Sequence, residues 1–359
     1  MNRKINAVEI GILNYFIIRA FFIGITFNYL ITVSKQDGWF LLILSLFFII
    51  IYILFLNKFI NYNLNDNFSQ KIKSLFNNYF GKFILILIYL LLFILIVFNF
   101  INLNNFIHSQ FLDKTPIIII ATIFMSSIYY LLSKGIHTIT RTSTVLFFIG
   151  FSLFLLSLLG LLNLTDLSKL LPVFQIKGSA YFNCISSILA YNIFPMFLIT
   201  TLPKSSIESI NAKKVLIISS ILAILTLIIV YVVTLGIFGP NLSSLYEYPE
   251  FLVLRNISIL GMDTKIDSIL AIQWLFDMFI FITFSIYFIQ SNIECTININ
   301  KNIINLIICI LVFITTIGAS IYDVFFNDVL IKYAHFCINL IFIPIFIVIY
   351  IKLKIRNNS

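Results

Sequence analysis

The sequence predicts an all-α polytopic membrane protein with ten transmembrane helices. Three observations predict it. First, 61% of the 359 residues are hydrophobic and only 10% are charged, with a mean hydropathy of +1.08. A soluble domain is about 45–50% apolar and about 25% charged, so this chain has too few polar residues to cover a water-facing surface. That excludes a soluble enzyme, a nucleic-acid-binding domain and a disordered chain. Second, the apolar runs are continuous, as from Phe83 to Phe98, whereas a membrane β-barrel alternates apolar and polar residues in segments of about 10. Third, the runs approach the roughly 20 residues that a helix needs to cross the hydrocarbon. A helix also pairs its backbone groups within the segment, as lipid requires.

The spans run in order as follows. The first, 9–33, opens at Glu9, an acid favoured at a helix N-terminus by the helix dipole. Arg3 and Lys4 precede it as in a secretory signal, but no small-residue cleavage site follows, so it is expected to stay as the first helix. The second, 38–57, begins after the turn pair Asp37-Gly38. The third, 83–103, carries Asn99 and Asn102. The fourth, 115–133, is short and starts at Thr115-Pro116. The fifth, 143–163, is followed by Leu171-Pro172. The sixth, 179–202, is the most polar and contains Pro195. The seventh, 213–237, stops at Gly239-Pro240. The eighth, 266–290, holds Trp274 and Asp277, and 303–322 and 329–351 complete the set. Turn dipeptides at these boundaries support the divisions.

Loop charge orients the spans. With the N-terminus inside, fifteen Lys and Arg fall on the inner side and seven on the outer side. That bias follows the positive-inside rule and places both termini in the cytoplasm. The net charge of +9 and pI near 9.3 therefore have a topological reading rather than a nucleic-acid one. The outer loop 238–265 is slightly acidic through Glu247, Glu250 and Asp263, and the inner loop 58–82 is rich in Asn and Lys. Cys184, Cys295, Cys309 and Cys337 have no Cys-x-x-Cys spacing and read as small hydrophobes. His108 falls in an outer loop, His137 in an inner loop and His335 in the tenth span, with no metal-ligand spacing among them. Neither metal nor cofactor is expected, for no Gly-rich phosphate loop or metal cluster is present. The whole chain, 1–359, reads as one integral membrane domain.

Three stretches carry a more specific signal. Lys35-Gln36-Asp37-Gly38-Trp39 follows the first span, and Leu170-Leu171-Pro172-Val173 the fifth. The outer loop reads Ile237-Phe238-Gly239-Pro240, then Tyr248-Pro249, then Arg255-Asn256-Ile257-Ser258, with Trp274 beyond. In order and spacing these resemble the B subunits of spore germinant receptors, the endospore germination permeases of the amino acid–polyamine–organocation superfamily. The resemblance covers nearly the whole chain. It implies a LeuT-like fold of five helices plus an inverted five, here 1–163 and 179–351, with spans one and six broken near the bilayer centre. It also implies a spore inner-membrane location, two partner subunits (a large membrane-anchored one and a lipoprotein), and sensing of a small nutrient such as an amino acid. The chain departs from the pattern at Ile18-Arg19-Ala20-Phe21-Phe22, where relatives carry Gly and a small residue, with Gly24 a turn later. It departs again in span six, where Tyr191-Asn192 stands where relatives often have an acid.

Two charges fall inside the membrane, Arg19 in span one and Asp277 in span eight. Each costs about 2.5–3.5 kcal/mol at the bilayer centre even on a lenient scale, so they are expected to face inward and pair. In the fold implied by the resemblance these spans are neighbours, and the guanidinium would stand where a sodium ion often sits. The pair either joins two helices or borders a ligand path. Pro195 removes a backbone donor and clashes with the preceding turn; it is either a kink or part of a binding site. Asn99 and Asn102 are interhelical glue or pocket groups. Placed by the resemblance, the substrate-binding candidates are Arg19, Ala20, Gly24, Asn99, Tyr191, Asn192, Pro195 and Asp277. The expected function is a nutrient-sensing subunit of a germinant receptor. The first alternative is an amino acid permease or cation-coupled transporter; the second is a polytopic glycan polymerase or acyltransferase. No nucleophile–base pair supports an enzyme.

Overall fold

In the computed structural model, residues 4–174, 176–202, 207, 212–256, 258–259, 262–263, 266–294, 300–320 and 333–357 are described. Helix α1 (Ala7–Arg19) starts in a capping box, with Glu9 accepting from the Asn6 backbone and the Asn6 side chain accepting from Val8. Such reciprocal capping satisfies two of the four orphan N–H groups of a helix start. The helix then unwinds. Ile23 (ψ 132°) and Gly24 (φ 69°) leave helical geometry within the turn Phe22–Thr26, and α2 (Phe27–Ser34) resumes the course. A second break at Lys35–Asp37 leads into α3 (Gly38–Asn61).

Tyr231 donates its hydroxyl to the Lys35 carbonyl at that second break, directly over Gly38. A Cβ on Gly38 would overlap the Tyr231 phenol ring and oxygen. Gly38→Ala is therefore expected to cost about 1–3 kcal/mol by overpacking. The loss is read as a lowered apparent melting temperature in detergent. Gly318→Ala, where nothing lies within 4 Å of an added Cβ, does not lower it.

The loop 58–82, expected on the inner side, is more structured than its composition suggests. Helix α4 (Phe68–Leu75) buries Phe68, Ile72 and Leu75 on one face. Lys71, expected as a solvated loop charge, is 1% exposed and donates to the carbonyls of Phe59 and Ile60 at 3.2 and 2.9 Å. It closes the C-terminus of α3, where a cation complements the helix dipole.

Long helices follow: α5 (Asn78–Gln110), α6 (Ile117–Lys134) and α7 (Ile136–Leu161). Two of them outrun their apolar cores. His108 therefore lies in the last turn of α5 and His137 in the first turn of α7, not in loops as expected. Hydropathy marks the lipid-facing part of a helix, not its polar extensions. Helix α8 (Gly178–Ile188) passes into a wide turn, Leu189–Ile193, and then a tight helical segment, Phe194–Thr201, which holds Pro195. Helix α9 (Ala212–Ser243) is interrupted at Gly239 (φ 76°) ahead of Pro240. The short α10 (Pro249–Leu252) and two paired two-residue strands, β1 (Ser258–Ile259) and β2 (Met262–Asp263), lie in the connection expected on the outer side. Helices α11 (Ile266–Glu294), α12 (Lys301–Ser320) and α13 (His335–Asn357) complete the chain.

Nine helical stretches among the described residues are long and apolar enough to cross a membrane. The first, Ala7–Asn61, has 55 residues. At 1.5 Å per residue that is about 80 Å of helix, well over twice the hydrocarbon thickness of about 30 Å. The protein is thus an all-α polytopic membrane protein. Helix α1 packs against α7, α9 and α11, and α11 packs in turn against α5 and α12. The stretches Gly178–Thr201 and Ala271–Glu294 are the most buried and Ile136–Leu164 the least. Cys184 and Cys309 are buried, but Cys337 is exposed on the outward face of α13; Cys295 lies outside the described residues.

Candidate functional site

The break in the first helix and the break in the sixth span meet inside the bundle. An unwound turn leaves carbonyl and N–H groups without helical partners, and in a membrane interior they must be matched by protein or water. Here side chains match them. Asn192, in the wide turn after α8, donates to the Ile18 carbonyl at 2.6 Å and accepts from Thr26 at 3.0 Å. On α5, Asn99 donates to the Ala20 carbonyl at 2.7 Å and Asn102 to the Ile23 carbonyl at 2.8 Å. These two asparagines are three residues apart and so share one face of α5. The Gly24 N–H donates to the Glu250 carboxylate at 3.1 Å. Gly24 is held closely: a Cβ there would lie 2.6 Å from Asn102 Oδ1 and 2.6 Å from Tyr248 Cε1.

Beside this break lies the charged pair. Arg19 donates through Nε to Asp277 at 3.0 Å and through Nη1 to Thr226 at 2.6 Å. Its guanidinium stands 4.9 Å from the centre of the Tyr15 ring. Arg19 and Asp277 are each 4% exposed. The cavity they share with Tyr15, Phe147 and Gln273 is about 10 Å³, space for about one water. Tyr191 stacks on Phe21 with ring centres 5.5 Å apart, sealing the break from the side.

The structure therefore brings together Arg19 and Asp277 as one group, and Ala20, Gly24, Asn99, Asn192 and Tyr191 around the break. Pro195 is buried one turn beyond Asn192, in the tight segment. Sequence reasoning missed Thr26, Thr226, Tyr15 and, above all, Glu250. Expected as an acidic residue of an outer loop, Glu250 is 2% exposed. Burial pushes its carboxyl up to about 8, against the lowering effect of its own and the Gly24 backbone N–H groups. The available signal was Pro249: proline fits the first position of a helix, so Glu250 begins a short helix rather than a free loop.

The remaining motif residues join connections to one another. Gln36 donates to the Pro172 carbonyl at 2.6 Å, and Asp37 accepts from Phe174 N–H at 2.8 Å and the Tyr181 hydroxyl at 2.9 Å. Trp39 meets Phe40 edge to face. At the Gly239-Pro240 interruption, Lys169 donates to the Ile237 carbonyl at 2.5 Å. Tyr248 packs on Phe106 at 5.0 Å, and Trp274 on the same ring at 6.2 Å. Among the described residues, no group of three or more His, Cys, Asp or Glu is placed to hold a metal ion.

The fold is that of membrane transporters. A mutant form of the manganese transporter of Eremococcus coleocola matches with a TM-score of 0.59 at 14% identity, over 93% of this chain and 75% of that one. The same transporter in complex with an aromatic bis-isothiourea substituted compound gives a TM-score of 0.60 at 14% identity and the same coverage. No curated protein matches the chain. The family model described as spore germination protein matches residues 12–324, a span that includes both helix breaks, the Arg19–Asp277 pair and the outer loop. Family and fold alike are those of permeases rather than of enzymes, and the chain belongs to the spore permease family of spore germination proteins.

Proposed function

We propose that the chain is the membrane-embedded, nutrient-sensing subunit of a spore germinant receptor. On this reading Ala7–Asn61 makes two crossings, turning at Lys35–Asp37. That gives ten crossings in two inverted sets of five, 1–163 and 179–351, in the spore inner membrane with both termini cytoplasmic. A large membrane-anchored subunit and a lipoprotein complete the receptor. The ligand is a small nutrient such as an amino acid, bound among Arg19, Ala20, Gly24, Asn99, Tyr191, Asn192, Pro195 and Asp277. The observation that carries the reading is the meeting of two broken helices whose loose backbone groups are held by side chains. Half-helix ends and unwound carbonyls are the groups with which transporter folds hold charged substrates.

Among the described residues, the site is tightly packed in this conformation. The cavities at the site are about 10 and 30 Å³, against roughly 300–1,000 Å³ for an ordinary ligand pocket. Binding therefore requires the side chains now holding the break to yield. The test is thermal-shift stability of the detergent-purified protein with each amino acid and common nucleosides. A ligand that binds only the folded state raises its apparent stability by mass action. A shift with one compound, lost in Asn192→Ala and Asp277→Asn, is expected; no shift with any compound overturns ligand sensing by this chain alone. Uptake of that compound into proteoliposomes would instead support the permease alternative.

A further inference from the structure

Glu250 is buried in a way that the hydrogen bond to Gly24 does not account for. Its Oε1 accepts the Gly24 N–H, while Oε2 has no hydrogen-bond partner among the described residues. The side chain lines a cavity of about 30 Å³, room for about two waters. The other side chains with polar atoms on that wall are Ser157, Thr234, Gln273 and Trp274. Ser157 donates its hydroxyl to the Phe154 carbonyl at 2.7 Å, and Thr234 donates to Val230 at 2.8 Å. Both hydroxyl protons are thus committed to the helices, and only lone pairs remain for the cavity.

Among the described residues, no Lys, Arg or His lines this cavity. The charged groups described on the surrounding elements are engaged elsewhere or repel. Arg255 on the same connection is paired with Asp267 at 3.4 Å and its side chain is half exposed. Glu247, also on that connection, carries the same sign as Glu250 and disfavours its charged form. On α1 and α11, Arg19 and Asp277 neutralise each other. On α5, the ring of His108 faces the Thr115 carbonyl at 3.1 Å. On α7 and α9 the cavity wall is otherwise apolar.

A carboxylate taken out of water without a partner cation takes up a neutralising charge instead. Hard divalent cations collect six or more oxygens, and this wall holds a single carboxylate. We propose that Glu250 is a proton-binding site that ties the outer connection to the break in the first helix. With the proton bound, Oε2–H donates into the cavity, where the Ser157 and Thr234 hydroxyls offer lone pairs, while Oε1 keeps the Gly24 N–H. When the proton leaves, the anion is drawn to water, and the outer connection loosens from the break. Proton loading and opening of the outer side are then linked, whatever the ligand.

The test is the apparent melting temperature of the full-length detergent-purified protein as a function of pH. A carboxyl whose value is raised on folding holds its proton in the folded state first, so stability is present at low pH. It is lost as pH rises from the ordinary value of 4.5 through about 8. The wild type should show that fall. Glu250→Gln, neutral and still able to accept from Gly24, should be flat over the same window. Infrared spectra in D₂O should show a protonated-carboxyl band in the wild type at neutral pH that Glu250→Gln lacks. If that variant fails to accumulate, Glu250→Asp should shift the band. The same pH slope in wild type and Glu250→Gln, or a missing band, overturns the proposal. So does recovery of the wild type at high pH when sodium or potassium replaces choline, because that marks a metal-cation site.

Discussion

Arg19→Met is expected to lower stability by about 3–5 kcal/mol, because it leaves Asp277 buried without its partner cation. That is a large share of the about 5–15 kcal/mol that holds an ordinary domain together. In membranes it should appear as loss of folded, monodisperse protein. The single reversals Arg19→Asp and Asp277→Arg should both fail, and together restore the folded level. A double reversal no better than the singles would sink the pairing as an energetic unit. The apolar double substitution Arg19→Met with Asp277→Leu separates the two roles left open by the geometry. Replacing a buried pair by apolar residues of similar volume is often neutral or stabilising. If the pair only joins α1 to α11, this variant folds and keeps any ligand-induced thermal shift. If it borders the ligand path, the variant folds and loses the shift.

Gly24→Ala should be nearly as damaging. A non-glycine residue in left-handed geometry costs roughly 1–2 kcal/mol, and Gly24 sits at φ 69°. The added Cβ must also displace Asn102 Oδ1 and Tyr248 Cε1, each 2.6 Å away. Displacing Asn102 frees the Ile23 carbonyl it holds, and an unmatched buried polar group costs about 1–3 kcal/mol. The expected result is a larger loss of thermal stability than Asn102→Ala produces alone. A Gly24→Ala protein as stable as the wild type would mean that the turn does not need this conformation.

Much of the architecture was legible because lipid demands long apolar runs and punishes unpaired charge. Pairing of Arg19 with Asp277 followed from the cost of leaving either alone, though 258 residues separate them. Pro195 marked the irregular segment of the sixth span through backbone stereochemistry, whereas the break at Gly24 was expected only from the family resemblance. Asn99 and Asn102 advertised themselves as amides in an otherwise apolar run. Glu250 did not, because nothing local separates an acid that solvates a loop from one that folds back on Gly24, 226 positions away. Lys71 was obscured for the same reason: its role depends on where α3 ends, and helix ends beyond the apolar core leave little trace in hydropathy. The long extensions of α5 and α7 were unseen on that account too.

Asn99, Asn102, Asn192 and Glu250 together make the resting protein its own competitor. Three amide N–H groups sit on carbonyls that an ammonium group would seek, and one carboxyl oxygen sits on an N–H that an α-carboxylate would seek. On the proposed reading, a nutrient must displace tethered groups already at high local concentration. The apparent dissociation constant is then the intrinsic one divided by the fraction of time the tethers are released. A response threshold well above the intrinsic dissociation constant is built in, and the strength of these four tethers sets how far above it lies. Weakening the Asn102 tether to the Ile23 carbonyl, a side chain outside the proposed set of nutrient contacts, would lower the threshold and leave selectivity among nutrients unchanged.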